Sequence, residues 1–306
     1  MSFRILFMGT PDFAVPILQS VHNSKHKILE VYTKKPQKKN RGKKLHNSPI
    51  HNCANELKIK VRHPETFKEN YELEHIKKLN PDIVLVVAYG KILPKDLLNF
   101  DKIFFLNIHA SLLPKWRGAA PIQRAIMNMD EETGVSIMKI EPKLDSGPVI
   151  LKSKIKIYKD DNYEKLSNKM SKVGTKLILN TLELIEKNKT NFIKQNEKEA
   201  TYANKIEKSE AKINWNDKAN KIIAKINALY PNPGSWFELT GSRIKVIKAV
   251  EVNKKGKPGL VLDNNFTIGC SNNSVQILEI QKAGKKKMSA KEFLRGNQIR
   301  IGQNLN

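Results

Sequence analysis

Phe104-Phe105-Leu106-Asn107-Ile108-His109-Ala110-Ser111-Leu112-Leu113-Pro114-Lys115-Trp116-Arg117-Gly118-Ala119-Ala120-Pro121 begins as an apolar run, which two polar side chains then break at alternate positions. Successive strand side chains point to opposite faces, so Asn107 and His109 share one face and Ile108 takes the other. An amide and an imidazole buried side by side without partners would cost on the order of 1–3 kcal/mol each. The cheaper arrangement ends the strand there, at a pocket, and in open parallel sheets the pocket lies beyond the carboxyl ends of the strands. A lone His at a strand end is more often a satisfied structural residue, but the residues after it point away from that. Ser111-Leu112-Leu113-Pro114 is apolar and rigid where a loop would normally be polar, and Arg117-Gly118-Ala119-Ala120-Pro121 leads into a helix with Pro121 in its first turn. An apolar loop beside two convergent polar groups suits a flat, mostly apolar ligand.

Outward from this stretch the pattern is α/β. Phe3 to Phe7 reads as a buried strand, Met8-Gly9 as its turn, and Thr10 as a helix N-cap with Pro11 at the first helical position. Ile28 to Tyr32 makes the next strand. The turn Gly9-Thr10-Pro11-Asp12-Phe13 lacks the G-x-G-x-x-G spacing, so a dinucleotide is not expected. Ser48-Pro49 starts a short helix, and a strand at 58–61, a helix at 67–79 and a strand at 82–89 follow. Strands alternating with helices, several of them continuously apolar, indicate a Rossmann-like, mostly parallel sheet covered on both faces. After a helix at 121–129, strands at 134–140 and 149–157 flank a tight loop holding Asp145, where Asp-Ser-Gly is also ordinary turn chemistry. Tyr163, Leu166, Met170, Val173, Leu177 and Leu184 mark a long amphipathic helix over 161–187. Residues 188–206 are polar and read as a linker. Beyond 207 a helix over 217–228 precedes short strands at 244–252, 259–262, 266–270 and 275–280, the pattern of a small, OB-like β-barrel. The expected domains are therefore 1–187 and 207–306, joined by 188–206.

A chain of 306 residues has room for two such domains. No apolar run approaches the roughly 18 residues a membrane span needs. The N-terminus enters its first strand by Phe3, leaving no room for a targeting peptide, so a cytoplasmic setting is expected. Cys53 and Cys270 are far apart and in no metal-ligand spacing. The formal net charge of +25 attracts polyanions, nucleic acid first among them, although abundant Lys, Asn and Ile suggest that part of the excess is compositional drift. Residues 34–47 concentrate that charge in what reads as a loop, either a solvated surface loop or a basic arm that meets phosphates.

Gly9-Thr10-Pro11-Asp12-Phe13-Ala14, Val86-Val87-Ala88-Tyr89-Gly90, Asn107-Ile108-His109-Ala110-Ser111-Leu112-Leu113-Pro114, Arg117-Gly118-Ala119-Ala120-Pro121-Ile122-Gln123 and Leu144-Asp145-Ser146-Gly147 together resemble the methionyl-tRNA formyltransferase family, and the likeness runs over nearly the whole chain. Asn-x-His-x-Ser-Leu-Leu-Pro with a downstream Asp is shared by folate-dependent formyltransferases generally, including those acting on glycinamide ribonucleotide and on amino-sugar nucleotides. The substrate assignment therefore rests on the Arg41-Gly42-Lys43-Lys44-Leu45 loop, which resembles the family's tRNA-gripping insertion, and on the basic second domain. An amino-sugar nucleotide enzyme is the same-fold alternative, and an RNA-binding protein on a degenerate scaffold is the alternative of another class. The chain departs from the family pattern at Asn227, Tyr230 and Asn232.

The resemblance implies formyl transfer from 10-formyltetrahydrofolate to the α-amine of methionyl initiator tRNA by a monomeric enzyme, with no metal and no nucleotide. It implies Asn107, His109 and Asp145 as catalytic residues, Ser111, Leu112, Leu113, Pro114, Ile92 and Leu93 as folate contacts, and Arg41, Lys43 and Lys44 as tRNA contacts. Asn107 can donate to the formyl oxygen as it gains charge. An imidazole can transfer protons near neutral pH, and Asp145 would orient His109 or relay a proton through water.

Overall fold

In the computed structural model, which describes residues 2–39, 44–67, 70–100 and 102–305, the apolar run Arg4–Gly9 (β1) is buried at every position after Arg4. It leads through a 3-10 turn into Val15–His22 (α1) and Lys27–Tyr32 (β2). Gln37–Lys39 (β3), Lys44–His46 (β4), Pro49–Glu56 (α2), Val61–Arg62 (β5) and Asn70–Leu79 (α3) follow. Then come Ile83–Val87 (β6), Lys95–Leu98 (α4), Phe104–His109 (β7), Arg117–Gly118 (β8), Pro121–Met127 (α5) and Glu132–Lys139 (β9). Val149–Lys156 (β10), Tyr163–Glu186 (α6) and Tyr202–Ala203 (β11) complete this stretch. The chain forms two compact units. One comprises Met1–Ala119, Thr133–Ile155 and Ser167–Ala203, and the other Ala120–Glu132, Lys156–Leu166 and Asn204–Asn306.

The first unit is built on a seven-stranded sheet of order β10-β9-β7-β6-β1-β2-β5. β5, β2, β1, β6 and β7 run parallel, and β9 lies antiparallel to β7. β6 is buried at all of its positions, as a strand covered on both faces must be. The chain moves outward from β1 to β2 and β5, then returns to the other side of β1 as β6 and β7. Such a reversal opens a crevice at the carboxyl ends of the strands. There the Thr10 hydroxyl donates to the Tyr89 carbonyl at 2.9 Å, tying the end of β1 to the end of β6.

That bond corrects the expectation for Thr10. It caps no helix; Pro11 precedes a 3-10 turn over Asp12–Ala14 and the α-helix begins only at Val15. Ser48 does cap α2, accepting from the His51 N–H at 3.0 Å with Pro49 in the first turn. The long helix α6 is present, but its core stripe runs through Leu166, Met170, Gly174, Ile178 and Leu182, with Val173, Leu177 and Leu184 only half-buried. A side-chain carbon at Gly174 would lie 3.4 Å from Ile108 and 3.6 Å from Ile17, so the helix backbone approaches the sheet through a residue that carries no hydrophobic signal of its own. The basic stretch 34–47 is not wholly loop: β3 and β4 pair antiparallel, Gln37 opposite His46 and Lys38 opposite Leu45. Arg41 and Lys43 lie outside the described residues, and of Lys44 only the backbone is described, within β4.

In the second unit Ala219–Leu229 (α7) precedes Trp236–Leu239 (β12), Ser242–Val252 (β13), Thr267–Gly269 (β14), Ser274–Lys282 (β15), Lys287–Ser289 (β16) and Ala290–Arg295 (α8). The strands form an antiparallel sheet of order β12-β13-β15-β14 with β16 added to β15. Trp215, Phe237, Phe266 and Phe293 fill its core with Ile222 and Ile226 of α7, and the Trp215 indole N–H is satisfied by the Leu305 carbonyl at 3.1 Å. Residues 259–262, expected as a strand, make only isolated bridges from Leu260 to Asn304 and from Val261 to Ile268. Asn227, one of the three positions that depart from the family pattern, donates to the Lys159 carbonyl at 3.4 Å. Among the described residues no helix is long and apolar enough to cross a membrane.

Candidate active site

β7 carries Asn107 and His109 to the carboxyl edge of the first unit's sheet, with Met138 and Ser136 of β9 directly opposite them. Ser136 then shapes the turn beyond the strand. Its hydroxyl donates to the Ser111 carbonyl at 2.8 Å and accepts from the Leu113 N–H at 3.1 Å, so the apolar segment after β7 is pinned to the neighbouring strand. The Ser111 hydroxyl closes the turn by donating to the Lys115 carbonyl at 2.5 Å. This brings the Trp116 carbonyl back over the imidazole, 2.8 Å from His109 Nε2. A carbonyl only accepts, so Nε2 carries the proton and Nδ1 is the nitrogen that faces outward.

Nδ1 faces Asp145. The His109 Nδ1 to Asp145 Oδ2 separation is 3.7 Å, within ion-pair range and beyond a direct hydrogen bond. Asp145 Oδ2 accepts the Gly118 N–H at 2.8 Å, and Oδ1 lies 3.4 Å from the Asn107 amide nitrogen. The imidazole is 5% exposed, so water does little to weaken these interactions. Asn107, His109 and Asp145 are therefore brought together from a strand and from a loop 38 residues further on. Their surroundings are strained. Ala88, Trp116 and Asp145 all have left-handed backbones, with φ of 48°, 61° and 45°, a conformation uncommon for residues other than glycine, although Asp adopts it more readily than Ala or Trp. Gly118, at φ 119°, fits where a side-chain carbon would meet the Ala203 carbonyl oxygen at 2.9 Å.

The apolar residues singled out from the sequence are spread over different environments. Ser111 and Leu113 are buried, Leu113 against Met138 and Val149. Leu112 and Pro114 are half-buried, and Leu112 lies over Gly134 of β9. Leu93 is packed in the core cluster with Tyr89 and Leu97, whereas Ile92 is 90% exposed.

A set of polar residues stands behind Asp145, of which only Arg117 lies in a motif the sequence marked, and without a role assigned to it. Arg117 is fully buried and directs its guanidinium at Gln195 Oε1, at 2.9 and 3.1 Å, and at Glu197, at 2.7 and 3.2 Å. Lys143, on the Asp145 loop, reaches Glu197 at 2.5 Å. Hydrogen bonds from Arg117 and then Lys143 hold the Glu197 carboxyl down to about 2, and the same pairing raises Arg117 above its ordinary value. β8 and β11 pair in parallel alongside, and Thr201 accepts from the Trp116 N–H at 2.9 Å.

Comparison with known proteins gives concordant likenesses. The sequence pattern of the family described as formyl transferase matches residues 3–182, and that of the formyl transferase C-terminal domain matches residues 205–298. The chain is 50% identical to the methionyl-tRNA formyltransferase of Pelagibacter ubique over all of its own length and 99% of that protein. It is 41% identical to the methionyl-tRNA formyltransferase of Parvibaculum lavamentivorans, with 99% of each chain covered. Among solved structures, an N-formyltransferase of Helicobacter canadensis with folinic acid and dTDP-3-aminofucose superposes with a TM-score of 0.68 at 23% identity, over 92% of this chain and 100% of that one. The methionyl-tRNA formyltransferase of Clostridium thermocellum superposes with a TM-score of 0.55 at 19% identity, over 83% and 95% of the two chains. These structures share the fold.

Proposed function

The chain belongs to the formyl transferase family, and from that premise we propose that it moves the formyl group of 10-formyltetrahydrofolate to the α-amino group of methionyl initiator tRNA, supplying formylmethionyl-tRNA for translation initiation. The observation that carries the chemistry is the convergence of Asn107, His109 and Asp145 at the end of β7. The observation that favours tRNA over an amino-sugar nucleotide is identity of 41–50% across both domains to proteins named for the tRNA reaction.

In this reaction the amine nitrogen bonds to the formyl carbon, the bond from that carbon to the folate nitrogen breaks, and one proton passes from the amine to the folate nitrogen. Asn107 donates an amide N–H to the formyl oxygen as negative charge gathers there, a role of about 10²–10³ in rate. His109, with Nε2 committed to Trp116, works through Nδ1, moving a proton or donating to that oxygen. Asp145, whose Oδ2 lies 3.7 Å from Nδ1, is placed to relay a proton through water. Ser111, Leu112, Leu113 and Pro114 form the folate-binding segment with Ile92 and Leu93. Within it the Ser111 hydroxyl and Leu113 hold the shape, while the half-buried Leu112 and Pro114 and the exposed Ile92 offer apolar surface to a flat ring.

The sequence division gives 1–187 to catalysis, 188–206 to a linker and 207–306 to tRNA binding in a barrel-like domain; residues 188–203 instead join the first compact unit, where Gln195 and Glu197 meet the Asp145 loop and Arg117, so they serve the catalytic part. Arg41, Lys43 and Lys44 grip the acceptor end, in keeping with the net charge of +25. The enzyme works as a monomer in the cytoplasm. Competition between acceptors tests the substrate. With 10-formyltetrahydrofolate, methionyl initiator tRNA should take the formyl group and a dTDP-linked amino sugar should not; the reverse preference would establish the sugar-nucleotide reading.

A further inference from the structure

We propose that Gln195 is a positioning residue for formyl transfer, holding the Asp145 loop in the strained conformation that aims its carboxylate at His109 and Asn107. The inference rests on the proposed formyl transfer to methionyl-tRNA. All four hydrogen-bonding positions of the Gln195 amide are taken. Oε1 accepts from Arg117 Nε at 3.1 Å and Nη2 at 2.9 Å, and Nε2 donates to the Asp145 carbonyl at 2.9 Å and to the Gly147 carbonyl at 2.7 Å. A guanidinium only donates and a carbonyl only accepts, so the amide has one orientation that satisfies both sides.

The loop it holds needs holding. Asp145 has φ 45°, in the left-handed region that residues with a side chain adopt at some cost, though Asp at less than most, so its contacts help fix that conformation. Its carboxylate is set from the other side by the Gly118 N–H at 2.8 Å. Gly118 follows Arg117, so backbone and side chain of Asp145 are anchored to one short strand, directly through Gly118 and through Gln195 by way of Arg117. Lys143 and Glu197 add an ion pair between the same loop and the same segment. Without the two amide donors the loop relaxes, and Asp145 no longer approaches His109 to 3.7 Å.

Gln195→Glu tests this with the shape conserved. The carboxylate still accepts from Arg117 but sets an oxygen against the Asp145 and Gly147 carbonyls. Gln195→Ala removes both contacts, and Lys198→Ala, exposed on the same segment, serves as the control. Steady-state formyl transfer, thermal melting and the double mutant Gln195→Glu/Asp145→Asn are measured on the full chain. Both Gln195 variants should lower kcat by about 10²-fold, with KM for folate and tRNA within about threefold of wild type, as displacement of a catalytic group does. Gln195→Glu should add little to the loss caused by Asp145→Asn. Should Gln195→Ala fail to fold, Gln195→Glu, which keeps the Arg117 contact, supplies the result. A kcat within about threefold of wild type in Gln195→Glu, or losses that multiply fully in the double mutant, would overturn the proposal. Wild-type protein that forms no formylmethionyl-tRNA would instead overturn the function on which it rests.

Discussion

His109 donates from Nε2 to the Trp116 carbonyl, and this one bond decides that Nδ1 faces Asp145 and the reacting groups. Asn107 stands on the same face of β7; in the proposed reaction the amide stabilises charge on the formyl oxygen, and the imidazole moves a proton or donates to that oxygen. Asn107→Ala and His109→Ala are each expected to slow single-turnover formyl transfer by at least about 10²-fold while tRNA affinity stays unchanged. Rates near wild type in both would remove these residues from the chemistry. The pair was legible in the sequence because strand alternation puts two costly polar groups on one face. Asp145 was less so, since Asp-Ser-Gly is also ordinary turn chemistry and only the family motif singled it out. Gln195 left no signal, because it meets Asp145 across 50 residues from a polar stretch without periodicity.

The segment around Gln195 and Glu197 acts as an element, bracing β8 and the Asp145 loop. Glu197 is held down to about 2 by Arg117 and Lys143, from an ordinary 4.5, so its pairing favours the folded state fully above pH 4.5. That contribution declines as pH falls below 4.5 and is gone beneath about 2. Denaturant unfolding of wild type and Glu197→Gln should therefore differ at pH 7 and converge on acidification; curves separated equally at pH 7 and at about pH 2 would show that the carboxylate charge is not what the pair contributes. Elements with strong local signals, such as β6 and the capped α2, were readable. Thr10 was misread because its hydroxyl bonds across the sheet to Tyr89, a partner 79 residues away. The stripe of α6 was misread because Gly174, which carries no hydrophobic signal, packs against Ile108 and Ile17. Residues 259–262 are apolar enough for a strand, yet the structure gives them isolated bridges only.

At the scale of the molecule, a net charge of +25 has to be divided between function and drift. Removing one side chain that meets a single-stranded phosphate should flatten the dependence of log affinity on log salt by about 0.7. If Arg41, Lys43 and Lys44 meet the acceptor end, replacing all three with Ala should weaken use of charged tRNA, flatten its salt dependence and spare folate binding. Parallel salt curves with unchanged rates would return that stretch to plain solvated surface. A change in hydrophobic periodicity and strand length suggests two domains, but the two compact units do not follow the bounds 1–187 and 207–306: residues 120–132 and 156–166 belong to the second unit and 188–203 to the first. Those memberships, like the ion pairs and amide contacts around Asp145, depend on tertiary proximity that no window of sequence contains. The most direct measurement follows tetrahydrofolate release and formylmethionyl-tRNA formation together, using wild-type protein with charged and with uncharged initiator tRNA. Release matched one for one by formylated product, with charged tRNA alone, is the predicted result. Release that proceeds equally with uncharged tRNA, or no formyl group on the methionine, would contradict it.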